Sequence, residues 1–352
     1  MADGGELAIA LGTLVGALAL LLLSAERFVG ASEELGLALG LPPFVMGITI
    51  LAIGTSFPEL VTALFAVAEG SGEMVVGTVM GSNIANILLI LGTAAVVSKG
   101  FRITWDLLHG DLPLLFGSLL LLGFVIYPIS AGDLIRFRDA VQADGLGTST
   151  ASASLLTWPE AWMLLLGYLL YVLYYAQRSR EHREVPGTEA PTERPRLRWQ
   201  PMAWIGAGLV GVYFGAEYTV TGAVQVAALA GLGTEVIAAS VIAMGTSLPE
   251  LVVSLTASRR GNFEMAVGNV TGSNIFNTFV VLGVPGVAAP WLGSGELLNV
   301  GEPSVLFLQA PYYAAALLLF LIIVLDRNLT RTEGAVVLLA YALFIGKLFS
   351  VV

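Results

Sequence analysis

The chain has 352 residues, no cysteine, two histidines and a formal charge of -10; 56% of its residues are hydrophobic and 12% are charged. A soluble domain averages about 25% charged residues, so this composition excludes a water-soluble fold and indicates helices that face lipid. The missing cysteines exclude disulfides and thiolate metal sites, which means that any bound metal is held by oxygen. The acidic balance argues against a nucleic-acid partner.

Ten long apolar runs, separated by short polar breaks, follow one another along the chain. Several are longer than the roughly 20 residues that cross the hydrocarbon, so they must tilt or break. We therefore predict an all-α integral membrane fold in the lipid bilayer. The ten transmembrane helices are expected at residues 7–32, 41–68, 73–98, 111–130, 155–176, 201–231, 232–258, 262–290, 305–325 and 333–351.

The longest polar break, residues 177–200, contains six arginines between the fifth and sixth predicted helices. Because cytoplasmic loops are enriched in Arg and Lys, we expect this linker in the cytoplasm and, with ten helices, both termini outside. The protein is then a multi-pass protein of the cell membrane. The other loops on the inner side also carry cations: Lys99 and Arg102, Arg259 and Arg260, Arg327 and Arg331.

Two sequence motifs recur at one offset of 191 residues. Gly54–Leu60 (GTSFPEL) returns as Gly245–Leu251 (GTSLPEL), and Gly81–Asn86 (GSNIAN) returns as Gly272–Asn277 (GSNIFN). Two motifs repeated at one offset indicate a duplicated unit. The repeated windows are 52–60 and 77–87 in the first half and 243–251 and 268–278 in the second.

Each half of the chain, residues 1–176 and residues 201–352, contains five predicted helices. Since five is odd, the second copy crosses the membrane in the opposite sense, which makes the repeat inverted. Inverted repeats with Gly/Pro-interrupted helices are the best sequence indication of a secondary transporter with its site near the bilayer midplane.

The first motif places a proline and a glutamate deep inside helices 2 and 7. Pro58 removes a backbone donor and clashes with the carbonyl of Gly54, so we expect helix 2 to be broken there, and helix 7 likewise at Pro249. Freed carbonyls are costly in hydrocarbon unless protein, water or an ion satisfies them. A carboxylate at this depth costs at least about 2.5 kcal/mol, so Glu59 and Glu250 together imply a compensating cation or protons.

The same motif has a structural interpretation. Ser56-x-x-Glu59 is a capping box, which would restart a helix after a kink. We favour ion ligands at the two glutamates, with capping as a secondary role.

The second motif offers neutral oxygens. Ser82 and Asn86 are four residues apart and share one helix face, as do Ser273 and Asn277. Helix packing is the alternative, since Gly77-x-x-x-Gly81 and Gly268-x-x-x-Gly272 are small-xxx-small motifs. The two interpretations are compatible.

Carboxylates, hydroxyls, amides and freed carbonyls form an all-oxygen site. Ca²⁺ accepts about 6–8 such ligands in irregular geometry, whereas Mg²⁺ requires a strict octahedron. Two glutamates neutralise one Ca²⁺, and Na⁺ would compete for the same oxygens. Competition of this kind favours exchange over leak.

The four motif copies resemble the α-repeats of the sodium/calcium exchangers in the cation/calcium antiporter superfamily, prokaryotic type. The resemblance implies Na⁺/Ca²⁺ exchange by alternating access, with helices 1 and 6 sliding across the other eight and a site formed by helices 2, 3, 7 and 8. It implies calcium ligation by Glu59 and Glu250 with the carbonyls of Thr55 and Thr246. The implied sodium sites and central polar site contain Ala52, Ser56, Ser82, Asn86, Ala243, Ser247, Ser273 and Asn277.

One position departs from the family pattern. Prokaryotic relatives often have Asp where this chain has Asn277, so the predicted site contains two carboxylates and no third. The sodium stoichiometry, the pH sensitivity and any K⁺ requirement therefore stay open.

Three other functions are weaker alternatives. A Ca²⁺/H⁺ antiporter of the same fold usually has a Gly-Asn-x-x-Glu type of motif in place of Gly-Thr-Ser-x-Pro-Glu. A cation channel ordinarily forms its pore from repeated subunits or filters. An intramembrane enzyme lacks support because no nucleophile motif or HExxH is present. We expect no catalytic residue and no cofactor, with Ca²⁺ and Na⁺ as cargo and a monomer as the working unit.

Overall fold

A computed structural model describes the chain at residues 4–105, 107, 110–126, 155–184, 199–229, 245–292, 298–299 and 305–351. Secondary structure in these ranges is overwhelmingly helical, which confirms the prediction of an all-α fold. Four helical rods there are long and apolar enough to cross a membrane, namely Gly5–Leu39, Pro43–Ala68, Met74–Ser98 and Phe263–Trp291. The count of ten helices stays a prediction, because residues 127–130 and 232–244 of the expected fourth and seventh helices lie outside the described ranges.

The α-helices are numbered here in chain order. They are α1 Gly4–Leu39, α2 Pro43–Met46, α3 Ala52–Ala68, α4 Glu73–Ala85, α5 Leu91–Ser98, α6 Asp111–Ile126, α7 Trp158–Glu184, α8 Trp199–Leu229, α9 Leu248–Arg259, α10 Phe263–Phe276, α11 Gly283–Ala288, α12 Ala310–Asp326 and α13 Arg331–Val351. Wider π-helical turns cover Gly47–Leu51, Asn86–Ile90, Asn277–Val281 and Val305–Gln309, and a 3₁₀ turn covers Ala289–Trp291.

Two short antiparallel strand pairs join loops that are distant in sequence. Strand β1, Gly100–Arg102, pairs with β4, Asn328–Thr330, and Phe101 is opposite Leu329. Strand β2, Leu155–Leu156, pairs with β3, Leu298–Asn299. Each strand pair connects segments that flank the ends of hydrophobic helices.

The predicted break of helix 2 at Pro58 is wrong. Pro58 lies inside the continuous helix α3, and the irregularity is the π-helical turn Gly47–Leu51, which ends where α3 begins. A membrane helix tolerates an internal proline when its surroundings and small backbone adjustments satisfy the one freed carbonyl. The wide turn is the local distortion instead, and such π turns are common at functional sites.

The corresponding region of the second half does contain an interruption. Thr246 and Ser247 form a turn, and α9 begins at Leu248 with Pro249 in its first turn, where a missing N–H costs no helical hydrogen bond. The two copies of one motif thus have different backbones, one inside a helix and one at a helix start.

Helix α7 runs to Glu184, beyond the predicted start of the linker at Gln177. Arginines are compatible with this position because cations favour the C-terminal end of a helix. Residues 185–198 of the predicted linker lie outside the described ranges, and α8 begins at Trp199.

Helix α10 lies at the centre of the bundle, with every residue from Met265 to Phe276 buried. Its glycines permit backbone contact with the π turn. A Cβ on Gly268 would lie 2.5 Å from the Phe44 carbonyl oxygen, and one on Gly272 would lie 2.7 Å from Ile48 Cα. The small-xxx-small interpretation therefore holds for the second copy. For the first copy, the offset pairs the contacted residues Phe44 and Ile48 with residues 235 and 239, which lie outside the described ranges.

Helices α1 and α8 form a closely packed pair that lies against α9. Close approach again depends on glycine. A Cβ on Gly208 would meet Phe28 at 2.8 Å, and one on Gly215 would meet Leu21 at 2.7 Å. Large apolar side chains such as Leu23 on α1 and Tyr218 on α8 are exposed, as expected for surfaces that face lipid.

Candidate ion-binding site

Two buried glutamates from the two halves of the chain lie together. Glu59, on α3, is 5% exposed, and Glu250, in the first turn of α9, is 1% exposed. Their carboxyl groups are close enough to act on each other electrostatically. Both Glu59 oxygens and Glu250 Oε2 lack a hydrogen-bond partner among the described residues. No Lys or Arg is among the buried residues of the described ranges, so nothing there balances the two charges.

Serine hydroxyls connect the two repeats, and one of them contacts the glutamate pair. Ser56 Oγ donates to Glu250 Oε1 at 3.0 Å. Ser82 Oγ and Ser247 Oγ lie 3.0 Å apart, and both side chains are buried. Each contact joins a residue of the first half to one of the second, so the two motifs meet across the repeat boundary as predicted from their symmetry.

The capping interpretation is not supported. Ser56 lies in the interior of α3, where no helix begins. Ser247 occupies the N-cap position of α9 but makes no capping hydrogen bond, because its hydroxyl faces Ser82. These serines therefore present oxygens to the interior of the bundle rather than to a helix end.

The second motif has the same backbone irregularity in both halves. A π-helical turn begins at Asn86 after α4, and another begins at Asn277 after α10. The offset of 191 residues relates these two turns, so the duplication extends to local geometry. A π turn widens the helix at one point and can direct the asparagine side chain away from the regular helical face.

Asparagines from the second motif also link the two halves. Asn83 Nδ2 donates to the carbonyl oxygen of Asn274 at 3.5 Å, and Asn274 Nδ2 donates to that of Asn83 at 3.4 Å. Asn86 Nδ2 donates to Asn274 Oδ1 at 2.9 Å. This reciprocal arrangement fixes α4 against α10.

Two predicted site residues keep unused polar atoms. Ser273 Oγ and both amide atoms of Asn277 are buried without a hydrogen-bond partner in the described part of the chain. Buried polar groups are normally satisfied, so such atoms indicate a place for water or an ion. Asn86 Oδ1 is unpartnered in the same way.

The two threonines that symmetry predicts as equivalent differ. Thr55 is 1% exposed, and its hydroxyl lies 3.4 Å from Asn269 Oδ1, whereas Thr246 is exposed in the turn before α9. Ala52 is buried at the start of α3, near Gly272 of α10. Ala243 lies outside the described residues.

Several polar residues at this site were missed from the sequence. Asn269 and Ser254 are fully buried and bonded to each other at 2.9 Å, and Asn83 donates to Thr278 Oγ1 at 2.9 Å. Asn83 and Asn274 could have been found, since both stand inside the repeated Gly-Ser-Asn. The repeat could not reveal Asn269, Ser254 and Thr278, because their counterparts are Thr78, Ala63 and Ile87.

The site is chemically an oxygen site with two negative charges. Within the described ranges, no cluster of three or more His, Cys, Asp or Glu residues could hold a metal. A cation here would therefore combine two carboxylates with neutral hydroxyl, amide and carbonyl oxygens. Hard cations such as Ca²⁺ accept such ligands.

This fold and site define an all-α membrane protein with two buried carboxylates between its helices. The family model described as sodium/calcium exchanger protein matches residues 9–176 and 201–349, and the chain belongs to this family. The resemblance of the motifs is thereby confirmed. Family membership supports cation/Ca²⁺ antiport rather than an enzymatic activity.

Relatives and a solved structure agree with this assignment. The inner membrane protein YrbG of Escherichia coli is 34% identical, and the match covers 80% of this chain and 81% of that protein. The sodium/calcium exchanger MaX1 of Methanosarcina acetivorans is 30% identical, with 94% and 96% covered. The structure of the sodium/calcium exchanger from Methanococcus jannaschii matches with a TM-score of 0.70 at 26% identity, covering 97% of this chain and 98% of that one.

Proposed function

We propose that this protein exchanges Na⁺ for Ca²⁺ by alternating access. The observation that carries the proposal is the adjacency of Glu59 and Glu250, both buried and without a buried cation beside them in the described ranges. Two uncompensated carboxylates inside a membrane protein are costly, so they require a cation or protons. One Ca²⁺ neutralises both.

Neutral oxygens around the glutamates complete the proposed calcium site. Ca²⁺ takes about 6–8 oxygen ligands, and two carboxylates supply at most four. We assign the remaining calcium ligands to the backbone carbonyl oxygens of Thr55 and Thr246. Asn86 and Asn277 are neutral amides, so in this proposal the two glutamates alone set the negative charge of the site.

Sodium is proposed to use the serine oxygens on either side of the glutamates. Ser56 and Ser247 contact Glu250 and Ser82 respectively, and Ser273 has an unused oxygen. Ala52 and Ala243 would contribute carbonyls. Because Na⁺ and Ca²⁺ would share the carboxylates, binding of one ion displaces the other. With no ion bound, the two unneutralised carboxylates would make the change between the two access states too costly.

The proposed frame is ten helices in two inverted repeats. The strand pairs support its topology: β1 and β4 join two loops predicted on the inner side, and β2 and β3 join two predicted on the outer side. The linker at 177–200 is then cytoplasmic and both termini are outside. Inverted repeats place the ion site near the midplane.

Replacing Ser82 or Ser273 by alanine is expected to weaken sodium dependence more than calcium affinity. Each change removes one neutral oxygen, which we expect to contribute about 1 kcal/mol to the free energy of Na⁺ binding. The Na⁺ concentration for half-maximal exchange should therefore rise about fivefold. Sodium titrations of calcium efflux measure it. Ser98→Ala is the matched control, because the Ser98 hydroxyl bonds the Ala94 carbonyl of its own helix. An equal loss in the control would contradict the assignment.

Reconstitution tests the proposed function directly. Proteoliposomes loaded with Na⁺ and diluted into Na⁺-free buffer should take up ⁴⁵Ca²⁺ at matched pH, whereas a proton gradient without sodium should not drive uptake. Paired buried carboxylates can also carry protons, so Ca²⁺/H⁺ antiport is the second candidate. Uptake driven only by the proton gradient would replace Na⁺ as the coupling ion and keep the two glutamates.

A further inference from the structure

A chain of three buried side chains leads from α9 through α10 to the glutamates. Ser254 Oγ accepts a hydrogen bond from Asn269 Nδ2 at 2.9 Å, and Asn269 Oδ1 accepts one from Thr55 Oγ1 at 3.4 Å. All three residues are at most 1% exposed. Because Ser254 holds the amide nitrogen, the amide orientation is fixed and its oxygen faces Thr55.

The pseudo-symmetric side of the molecule lacks this chain. The offset of 191 residues pairs Ser254 with Ala63, which has no polar side-chain atom, and Asn269 with Thr78. The Thr78 hydroxyl donates within its own helix to the Met74 carbonyl at 2.9 Å. Only one of the two motif threonines is therefore held by a polar chain in the described structure.

Thr55 directly precedes Ser56, whose hydroxyl donates to Glu250 Oε1 at 3.0 Å, and the Thr55 hydroxyl belongs to the electrostatic surroundings of that carboxylate. A hydroxyl has one proton and two lone pairs, so Thr55 cannot donate fully to Glu250, to Asn269 Oδ1 at 3.4 Å and to the Ala52 carbonyl oxygen at 3.5 Å at once. When its proton points to Asn269, the oxygen lone pairs are free to bind a cation held by Glu250. The Asn269 oxygen is an acceptor that makes this orientation possible.

We propose that Asn269 is a positioning residue that draws the Thr55 proton away from Glu250, so that the hydroxyl oxygen can be a ligand of the bound cation. This inference depends on the proposed cation site. The two halves of the chain then contribute different ligands, because Thr55 supplies a hydroxyl and Thr246, which is exposed in its turn, does not. Partners in the outer shell of a metal site commonly affect affinity strongly.

Asn269→Leu is expected to raise the half-saturating Ca²⁺ concentration about tenfold, as Thr55→Val should, because each variant removes the same hydroxyl ligand. The double variant should be no worse than either single one, since the two residues act as one unit. Equilibrium Ca²⁺ binding to the purified protein measures this separately from transport. Thr78→Val is the matched control and should leave binding unchanged.

The Ser254 position supplies a milder pair of variants if Asn269→Leu fails to fold. Ser254→Ala should weaken Ca²⁺ binding and Ser254→Thr should preserve it, because threonine keeps the hydroxyl; a purely structural role would not give this rescue. Wild-type affinity in Ser254→Ala, or additive losses in the double variant, would overturn the inference. Normal Ca²⁺ binding without sodium-driven uptake would instead refute the proposed function alone.

A second, independent observation concerns the C-terminal part of α1. Arg260, directly after α9, donates through Nη2 to Glu33 Oε2 at 2.6 Å and through Nη1 to Glu26, and Asn262 Nδ2 donates to Glu33 Oε1 at 2.8 Å. The guanidinium lies over Gly30, where a Cβ would be 3.3 Å from Nη2. These contacts fasten α1 to the loop between α9 and α10.

The pseudo-symmetric position cannot form such a contact. The offset pairs Arg260 with Glu69, Glu26 with Glu217 and Glu33 with Val224. Two carboxylates and a valine replace the guanidinium and its two acceptors. Since inverted repeats alternate between related conformations, an ion pair on one side alone favours one of them.

We infer that Arg260 is a latch that holds the predicted cytoplasmic side of the exchanger closed. An access route between α1 and the α9–α10 loop requires its bonds to Glu26 and Glu33 to break. The pseudo-symmetric residues that would close the external side cannot form an equivalent bond, so the latch shifts the equilibrium between the two access states. This inference depends on alternating access.

Arg260→Gln is expected to change the ratio of Ca²⁺ affinities at the two membrane faces. The half-saturating Ca²⁺ concentration should fall at the cytoplasmic face and rise at the external face. For a partly exposed ion pair, we expect the ratio of the two concentrations to change by about two- to fivefold. Oriented vesicles measure both faces. Arg259→Gln, the neighbouring exposed arginine, should leave the ratio unchanged.

Exchanging the charges, Arg260→Glu with Glu33→Arg, should return the ratio toward the wild-type value. An unchanged ratio in Arg260→Gln, with sodium-driven uptake intact, would overturn the latch and leave the exchanger function standing. Absence of sodium-driven uptake by the wild type in the same vesicles would refute the proposed function itself.

Discussion

Replacing Glu250 by glutamine should abolish sodium-driven calcium uptake. The carboxylate lies next to Glu59, accepts a hydrogen bond from Ser56 at 3.0 Å and is 1% exposed. Glutamine keeps the size and removes one of the two charges that neutralise Ca²⁺. Loss of a buried, paired charge costs about 3–5 kcal/mol, which corresponds to at least about a hundredfold loss of Ca²⁺ affinity. Initial rates of ⁴⁵Ca²⁺ uptake in proteoliposomes measure it.

Glu34→Gln is the matched control for this variant, because Glu34 is an exposed acid on α1. It should retain wild-type uptake. Rapid calcium exchange by Glu250→Gln at ordinary Ca²⁺ concentrations would remove the paired carboxylates from the mechanism.

Gly272→Ala should destabilise the protein and slow transport. The new Cβ would lie 2.7 Å from Ile48 Cα, Ile48 O and the Ala52 Cβ, and backbone atoms cannot move aside as a flexible side chain can. Overpacking of this kind typically costs about 1–3 kcal/mol. It would also separate α10 from the π turn and shift Ser273, the next residue, relative to the glutamates. Thermal unfolding in detergent, alongside uptake, measures the two effects.

Gly16→Ala is the control for the glycine variant. Gly16 is exposed on α1 with open space around its Cα, so alanine there should be neutral or stabilise the helix by about 0.5–1 kcal/mol. Equal unfolding temperatures for Gly272→Ala and the wild type would show that the close approach of α10 is dispensable.

Much of the candidate site could be predicted because the duplication marks it. The repeated motifs identified Glu59 and Glu250, and the structure joins Ser56 to Glu250 and Ser82 to Ser247 across the two halves. Motif symmetry was informative here because both copies contribute to one cluster. The resemblance to the exchanger family followed from the same residues.

The repeat could not predict where its copies differ. Pro58 suggested a broken helix, but α3 continues through it, and of the two motif copies the described residues show a turn in the second, just before α9. Thr55 and Thr246 are identical in sequence, yet one is buried and the other exposed. Local motifs do not encode the neighbouring helix that decides these outcomes.

Residues without a polar counterpart were also invisible to sequence comparison within the chain. Asn269 and Ser254 lie in apolar stretches that look like ordinary helix, and their counterparts are Thr78 and Ala63. Only the packing of α9 against α10 shows that they form a polar pair beside Thr55. Likewise, no motif predicts that Arg260 reaches Glu33 across 227 residues.

Calorimetric titration of Ca²⁺ into the purified protein, with and without Na⁺, tests the shared carboxylate site most directly. We predict one Ca²⁺ bound per chain, affinity that falls progressively as Na⁺ is added, and no binding by Glu59→Gln. Calcium binding that is indifferent to Na⁺, or that survives in Glu59→Gln, would contradict a site in which the two ions compete for Glu59 and Glu250.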